Sequence, residues 1–205
     1  MYNKNSSVDR RILKSQQALK KSLLLLMQQK ALKEITIKDI VEGADLNRGT
    51  FYKHYQYKED LLDDIMEDVI EDLTYSFREP YKDRDTFEIE NLTVASIKIF
   101  EHVEKNKEFY SLMLKSNVLS GFQTRVCDVL KDLALQDLHA LLPDSKVNRE
   151  LQVTYHSYAI LGMITEWIKD GFKYSSTYLA EQLLEILRYN KVDTVFKLSV
   201  NEENK

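Results

Sequence analysis

From about position 10 to about position 190 the apolar residues recur at intervals of three and four, and only short polar stretches interrupt them. That period lays side chains along one stripe of an α-helix. A half-buried strand needs alternation every second residue, and no segment here sustains it. No internal repeat is present either. Five Gly and two Pro in 205 residues are too few for the turns of a β-sandwich or barrel, and they supply no glycine-rich nucleotide loop. The chain is therefore expected to be all-α. A chain of this length can bury roughly 70% of its unfolded surface, enough for a substantial core. Its single Cys excludes a disulfide framework and a cysteine-built zinc site, and it suits a reducing compartment. The longest apolar run near the start, Leu23–Met27, sits between lysines. It is too short to span a membrane and has the wrong shape for a signal peptide, so a cytoplasmic protein without membrane contact is expected.

The pattern predicts a first helix over residues 10–30, with Ile12, Leu19, Leu23 and Leu26 on its buried face. A second follows over 37–44, capped by Thr36 with Asp39 three residues on, and a third over 48–54, capped by Asn47. A long amphipathic helix over 58–79 carries a buried stripe of Leu62, Ile65, Met66, Val69, Ile70 and Leu73, with Pro80 just past its end. Further helices are expected over 87–104, 107–115, 119–142, 148–170 and 176–190, with breaks at Pro143 and Gly171 and a cap at Ser176. Residues 195–200 read as either a strand or a frayed helix, and 201–205 as disordered.

The net charge of −4 conceals an asymmetry. Residues 1–57 hold eleven Lys/Arg against five Asp/Glu, or +6, and the rest of the chain sums to −10. A basic end on an acidic body suits a protein that meets a polyanion at one end only.

That basic end also contains two short helices joined by about three residues after a longer one, a helix-turn-helix pattern. In the second of the pair, Phe51 and Tyr55 fall on the core side with Ile37, Ile40, Val41 and Leu46. This leaves Arg48, Gly49, Tyr52 and Lys53 facing outward, with Thr50 and His54 at the margins. Gly49 permits close approach to a groove. Arg48 can fork onto guanine O6 and N7, worth about 1–3 kcal/mol of discrimination, and Thr50 can meet a thymine methyl or a phosphate. Tyr52, Lys53 and His54 suit phosphate oxygens, which position a protein without specifying sequence. Thr36 and Lys58, at two helix starts, would add phosphate contacts. Lys38 and Asn47 complete the candidate DNA-binding set.

The segments Ile35-Thr36-Ile37-Lys38-Asp39-Ile40, Ala44-Asp45-Leu46-Asn47-Arg48-Gly49-Thr50-Phe51-Tyr52-Lys53-His54-Tyr55 and Lys58-Glu59-Asp60-Leu61-Leu62 resemble the TetR family of bacterial transcriptional regulators. The resemblance covers residues 8–70. It implies a DNA-binding domain over 8–57, a connecting helix over 58–79, and a helical effector-binding and dimerisation domain over 80–192. Two positions depart from the family pattern. Asp45 stands where a glycine with positive φ is usual, and Tyr57 where a small polar cap is usual.

In the body, the helix over 148–170 carries Glu166 as its only formal charge between Glu150 and Lys169, and apolar or neutral residues occupy every side. Such a helix is expected to be buried on more than one side, one of them against a second copy of the chain. Ala159 and Gly162 would allow close approach, and Tyr158, Leu179, Leu183, Ile186 and Leu187 would complete a four-helix interface. In TetR-like proteins the last two long helices form the dimer. Phe100, Tyr110, Met113, Phe122, Tyr155, His156, Met163 and Trp167 are the ligand-pocket candidates, although aromatic and Met residues at these spacings are more often ordinary core. His102, His139 and His156 lack partners at metal spacing, and Cys127 lies among apolar residues, so no metal or cofactor site is expected. Ile164-Thr165-Glu166-Trp167-Ile168-Lys169-Asp170-Gly171-Phe172, followed by Tyr178-Leu179-Ala180, also resembles a C-terminal domain type of some TetR-like regulators, one branch of which controls dihydroxyacetone kinase genes.

The expected function is a ligand-responsive repressor that binds a palindromic operator as a homodimer and releases it when an unidentified small-molecule effector binds. The alternative is a helix-turn-helix co-regulator whose body binds a protein partner. An all-α enzyme would need a general base, nucleophile or metal cluster in register, and none is evident.

Overall fold

Every regular segment in the computed structural model is helical among the described residues, which are 4–82, 92–115, 121–137 and 147–189. Within these, the side chains of 4–9, Met113, Lys115, Asp137 and Tyr189 fall outside the description. So do residues 138–146, with His139 and Pro143, and everything after Tyr189, including 195–200 and 201–205. The helices are α1 Lys4–Met27, α2 Ile37–Gly43, α3 Arg48–Tyr52, α4 Lys58–Arg78, α5 Ile99–Lys105, α6 Lys107–Lys115, α7 Phe122–Asp137, α8 Arg149–Lys169 and α9 Ser176–Tyr189. Single 3-10 turns stand at Leu32–Glu34, Glu79–Tyr81 and Val94–Ser96. None of the described helices is long and apolar enough to cross a membrane.

Several helix limits differ from the sequence expectation; α1 ends at Met27 and α3 at Tyr52, each short of its expected end at 30 and 54. Helix α1 begins six residues earlier, at Lys4, and Ile12 is 42% exposed, so the buried stripe of α1 starts only at Leu19. The helix expected over 87–104 is shorter: α5 starts at Ile99, after the turn Val94–Ser96. The cap of α9 is Ser175, whose Oγ accepts from the Tyr178 amide at 3.1 Å. Ser176 instead donates to Glu104 Oε2 at 2.5 Å, tying α9 to α5.

Helices α1 to α3 form a small head. Leu19 and Leu23 of α1, Ile40 and Val41 of α2, and Phe51 of α3 are buried together with Tyr55 and with Leu61, Leu62 and Ile65 of α4. Gly43 makes the α1–α2 approach possible, because a Cβ there would stand 2.5 Å from Ser22 Oγ. That hydroxyl is itself fixed, donating to Ile40 O at 2.8 Å. Between α2 and α3 the chain turns through Asp45 at φ 53, and the Leu46 amide closes the turn onto Val41 O at 2.8 Å. Aspartate tolerates this left-handed geometry better than most residues, which is how the turn forms without glycine.

Helix α4 belongs to both halves. At its head end, Asp64 and Asp68 pair with Lys20 at 2.8 and 2.6 Å. Further along, Glu67 pairs with Arg125 of α7, and Asp72 with Lys105 of α5 at 2.8 Å. In the body, α7 packs on α8, α5 on α9, and α4 on both α5 and α7. Gly171 ends α8 at φ +69, and the Phe172 amide reaches back to Trp167 O at 2.9 Å, the expected glycine stop.

Candidate nucleic-acid interface

Local hydrogen bonds set the two short helices of the head. Thr36 Oγ1 accepts from the Asp39 amide at 3.1 Å, while Asp39 Oδ2 accepts from the Thr36 amide at 2.9 Å. This reciprocal cap satisfies two amides that would otherwise lack partners. The Lys30 ammonium lies 2.8 Å from the same carboxylate. Lys30 first, then the Thr36 amide, hold the Asp39 carboxyl down at about 2. Asn47 caps α3, its Oδ1 accepting from the Thr50 amide at 2.9 Å and from Thr50 Oγ1 at 3.2 Å.

With Phe51 and Tyr55 buried, the opposite face of this segment is open. Arg48, Gly49, Tyr52 and Lys53 are exposed, and Thr50 and His54 half-buried, the distribution that the helical register implies. Tyr52 is 58% exposed and packs its ring edge-on against Phe51. Thr36 and Lys38 are exposed as well, with Lys38 3.7 Å from Glu42 on its own helix. Thus Thr36, Lys38, Asn47, Arg48, Gly49, Tyr52 and Lys53 all reach accessible surface, and Asn47 and Thr36 also serve as caps.

Lys58 and His54 are placed differently from the expectation of free phosphate ligands. The half-buried Lys58 turns its ammonium inward, donating to Leu32 O at 2.7 Å and Ile35 O at 2.8 Å. Leu32 O also accepts from the Ile35 amide at 3.1 Å, so the lysine braces the 3-10 turn that leads into α2. His54 Nε2 lies 2.8 Å from Ser15 Oγ, which ties the end of the α3 segment to α1. Tyr57 offers no side-chain cap to α4. Asp60 compensates, accepting from the amides of Tyr57 at 2.8 Å and Gln56 at 3.0 Å. The farther partner of Lys58 lies 26 residues away and that of His54 39 residues away, so neither contact leaves a local signal in sequence.

The pocket candidates divide. Phe100, Tyr110, Phe122 and Trp167 are buried and pack ring against ring, with Phe100–Trp167 centroids at 6.1 Å and Tyr110–Phe122 at 6.3 Å. Phe109 joins them 4.8 Å from Phe122. Met163 and His156 are half-buried. Tyr155 is 64% exposed and is thus a surface residue of α8, not part of that cluster. The Met113 side chain lies outside the described residues. His102 is a satisfied core histidine. Its Nδ1 lies 2.8 Å from Asp72 Oδ2 and its Nε2 2.9 Å from the Tyr110 hydroxyl. An acceptor carboxylate on Nδ1 fixes the tautomer: Nδ1–H donates to Asp72, and Nε2 accepts from Tyr110. Burial lowers the His102 pKa, against the pull of Asp72.

The dimer candidates divide as well. Tyr158, Ala159, Gly162 and Ile186 are exposed and Leu187 half-buried, and a Cβ built on Gly162 would meet nothing within 4 Å. Leu179 and Leu183 instead point into the chain's own core at 8% and 7% exposure. The helix that carries them packs on α5, so these two leucines serve the chain's own body and leave the outer side of α9 to any partner. Leu151 and Tyr155 extend the open face of α8, each at least 64% exposed.

Two family models match this chain, one described as bacterial regulatory proteins of the tetR family over residues 24–65, the other as a transcriptional regulator C-terminal region over 90–189. The chain belongs to the TetR family of transcriptional regulators. It is 25% identical over 203 residues to the uncharacterized HTH-type transcriptional regulator YxbF of Bacillus subtilis (strain 168), covering 94% of this chain and 49% of that protein. The chain therefore spans about half the length of that curated relative. Among solved structures it resembles the dihydroxyacetone kinase operon activator DhaS, with a TM-score of 0.62 at 22% identity over 86% of this chain and 95% of that one. It also resembles NalD, the secondary repressor of the MexAB-OprM multidrug efflux pump in Pseudomonas aeruginosa, with a TM-score of 0.61 at 16% identity over 85% and 96%. At these identities the two structures establish the fold alone.

Proposed function

We propose that this chain is a ligand-responsive repressor that binds a palindromic operator as a homodimer. The head over 8–57 reads DNA, and the body over 80–192 dimerises and takes a small-molecule effector. The observation that carries this reading is the open face of α3, where Arg48, Gly49, Tyr52 and Lys53 are exposed on a segment anchored from behind by Phe51 and Tyr55. Arg48 reads a base edge, and Thr36, Lys38, Thr50, Tyr52 and Lys53 serve phosphates and groove walls. Asn47 holds the helix start in place. Lys58 and His54 contribute by fixing the head.

The open α8–α9 face, with Tyr158, Ala159, Gly162 and Ile186, supports the dimer, whose two heads would enter successive major grooves about 34–36 Å apart. An effector acts by favouring a body conformation with a different head spacing. That DhaS is described as an activator and NalD as a repressor makes the direction of regulation a matter for experiment. A second reading, in which the body receives a protein partner, draws support from the ring-on-ring packing of Phe100, Phe109, Tyr110, Phe122 and Trp167. A gel shift on the gene's upstream region across a salt series tests the main reading. Sequence preference that persists as salt rises supports it, and equal affinity for unrelated DNA at every salt defeats it.

A further inference from the structure

Asp72 of α4 gathers three donors from the end of α5. Its Oδ1 accepts from Lys105 Nζ at 2.8 Å, and its Oδ2 from His102 Nδ1 at 2.8 Å and Asn106 Nδ2 at 3.2 Å. From His102 the hydrogen bonds continue to α6, where the Tyr110 hydroxyl donates to Nε2 at 2.9 Å. Three helices of the body are thus linked through one buried imidazole. Two of them also touch the head: Asp64 and Asp68 of α4 hold Lys20 of α1, and α6 packs directly on α1.

A neutral imidazole suits both of its partners, and a protonated one does not. Nδ1–H serves Asp72 in either form, but Nε2 accepts from Tyr110 only while it has no proton of its own. Once it gains one, the phenol must swing its hydrogen to the other side of the C–O bond. Tyr110 is fully buried there, with its ring set edge-on to Phe109 and Phe122. Among the described residues its hydroxyl has no hydrogen-bond partner besides His102. A buried donor without an acceptor disfavours the arrangement that holds it. An outward shift of α6 that lets the hydroxyl reach water relieves the conflict. The charged and titratable groups against His102 are Asp72 from α4, Lys105 from α5 itself and Tyr110 from α6. Helix α9 also packs on α5, and its polar contact there is that of Ser176 with Glu104. Burial opposes the proton most, Asp72 favours it and Lys105 opposes it, so it arrives below the ordinary 6.5.

Resting on the reading of the head as the DNA-binding part, we propose that Asp72, His102 and Tyr110 form a proton-operated switch, in which a proton on His102 loosens α6 from α1 and weakens operator binding. The direction follows from the tether. A head held by both α4 and α6 meets DNA already placed, whereas one held by α4 alone must be ordered on binding. By reciprocity, bound DNA drives the proton off His102.

The test measures affinity for a duplex enriched from a randomised library at neutral pH, at constant ionic strength between about pH 5 and 8. It compares the full-length wild type with two variants. His102→Gln keeps a donor for Asp72 and an acceptor for Tyr110 but cannot titrate. Tyr110→Phe keeps the ring and removes the hydroxyl, and NMR of its imidazole signals follows the titration of His102. The other histidines are common to all three proteins and cancel in the comparison. Relative to His102→Gln, wild-type affinity should fall below pH 6.5 by up to about tenfold per pH unit for each protomer. Tyr110→Phe should follow His102→Gln even while its His102 titrates. A wild-type profile that matches His102→Gln overturns the proposal. So does a Tyr110→Phe protein that keeps the wild-type pH dependence, because the hydroxyl would then transmit nothing. Loss of wild-type binding in step with loss of helical circular dichroism also overturns it, since the proton would then unfold the chain. A wild type without sequence preference at any pH defeats the reading of the head and this proposal with it. Sequence preference with the same pH profile in all three proteins defeats this proposal alone.

Discussion

The Tyr55 hydroxyl donates to Asp64 Oδ2 across 2.6 Å, joining the end of the reading segment to α4. The same carboxylate receives the Lys20 ammonium at 2.8 Å. Burial, then the bond to Asp64, raises the Tyr55 phenol well above its ordinary pKa. Three elements of the head are thereby fixed on one carboxylate. Tyr55→Phe keeps the ring in the core and removes only the donor. It should cost about 1.5–3 kcal/mol in urea unfolding, as expected for a hydrogen bond to a charged group. A loss under a few tenths of a kcal/mol would show that the bond carries no net stability.

Gly43 and Ser22 should be coupled in the same assay. Gly43→Ala raises helix propensity, yet its methyl would sit 2.5 Å from a hydroxyl already committed to Ile40 O. Overpacking of this kind costs about 1–3 kcal/mol. Ser22→Ala removes the obstacle, and Ile40 O keeps its bond from the Ala44 amide at 3.0 Å. The double variant should therefore recover most of the loss. Additive effects of the two substitutions would contradict the packing described.

Much of the head was legible from local pattern. The caps Thr36 and Asn47, the buried Phe51 and Tyr55, and the outward Arg48 and Lys53 all follow from residue type and a helical period. Contacts between residues far apart in sequence were not legible. The inward Lys58, the Ser15–His54 contact and the Lys20–Asp64–Tyr55 cluster require the tertiary fold, as does the inward turn of Leu179 and Leu183. An apolar stripe looks the same in sequence whether it faces the chain's own core or a partner.

Lys58 and Arg48 should consequently separate in their effects. Lys58→Ala removes a donor from both Leu32 O and Ile35 O, leaving Leu32 O with the Ile35 amide alone. It should lower stability by about 1–3 kcal/mol. Any loss of DNA affinity would then accompany a lower Tm. Arg48 is exposed, so Arg48→Ala should leave Tm unchanged and reduce discrimination at one base position by about 1–3 kcal/mol. Calorimetry paired with binding to single-base operator variants checks both. A stable Lys58→Ala protein with uniformly weakened binding would restore that lysine as a direct phosphate ligand.

His102 should give stability a pH dependence. Its environment comprises Asp72, Lys105, Asn106 and Tyr110, and burial holds its pKa below the ordinary 6.5. Between the folded value and 6.5 the unfolded chain binds the extra proton, so stability falls as pH drops through that window, by up to ~1.4 kcal/mol per pH unit. His102→Gln should flatten this slope while lowering stability at neutral pH. An identical slope in the variant would place the titration elsewhere.

If the head reads a symmetric DNA sequence through α3, selection from a randomised duplex library should reveal that sequence, and affinity measurements on the enriched duplexes should rank its positions. The expected product is an inverted repeat with half-site centres about one helical turn, or a multiple of it, apart. Arg48→Ala should relax the base preference at one symmetric pair of positions. Enrichment of no sequence, or of one with no repeat and no response to Arg48→Ala, would contradict the assignment of α3 as the reader.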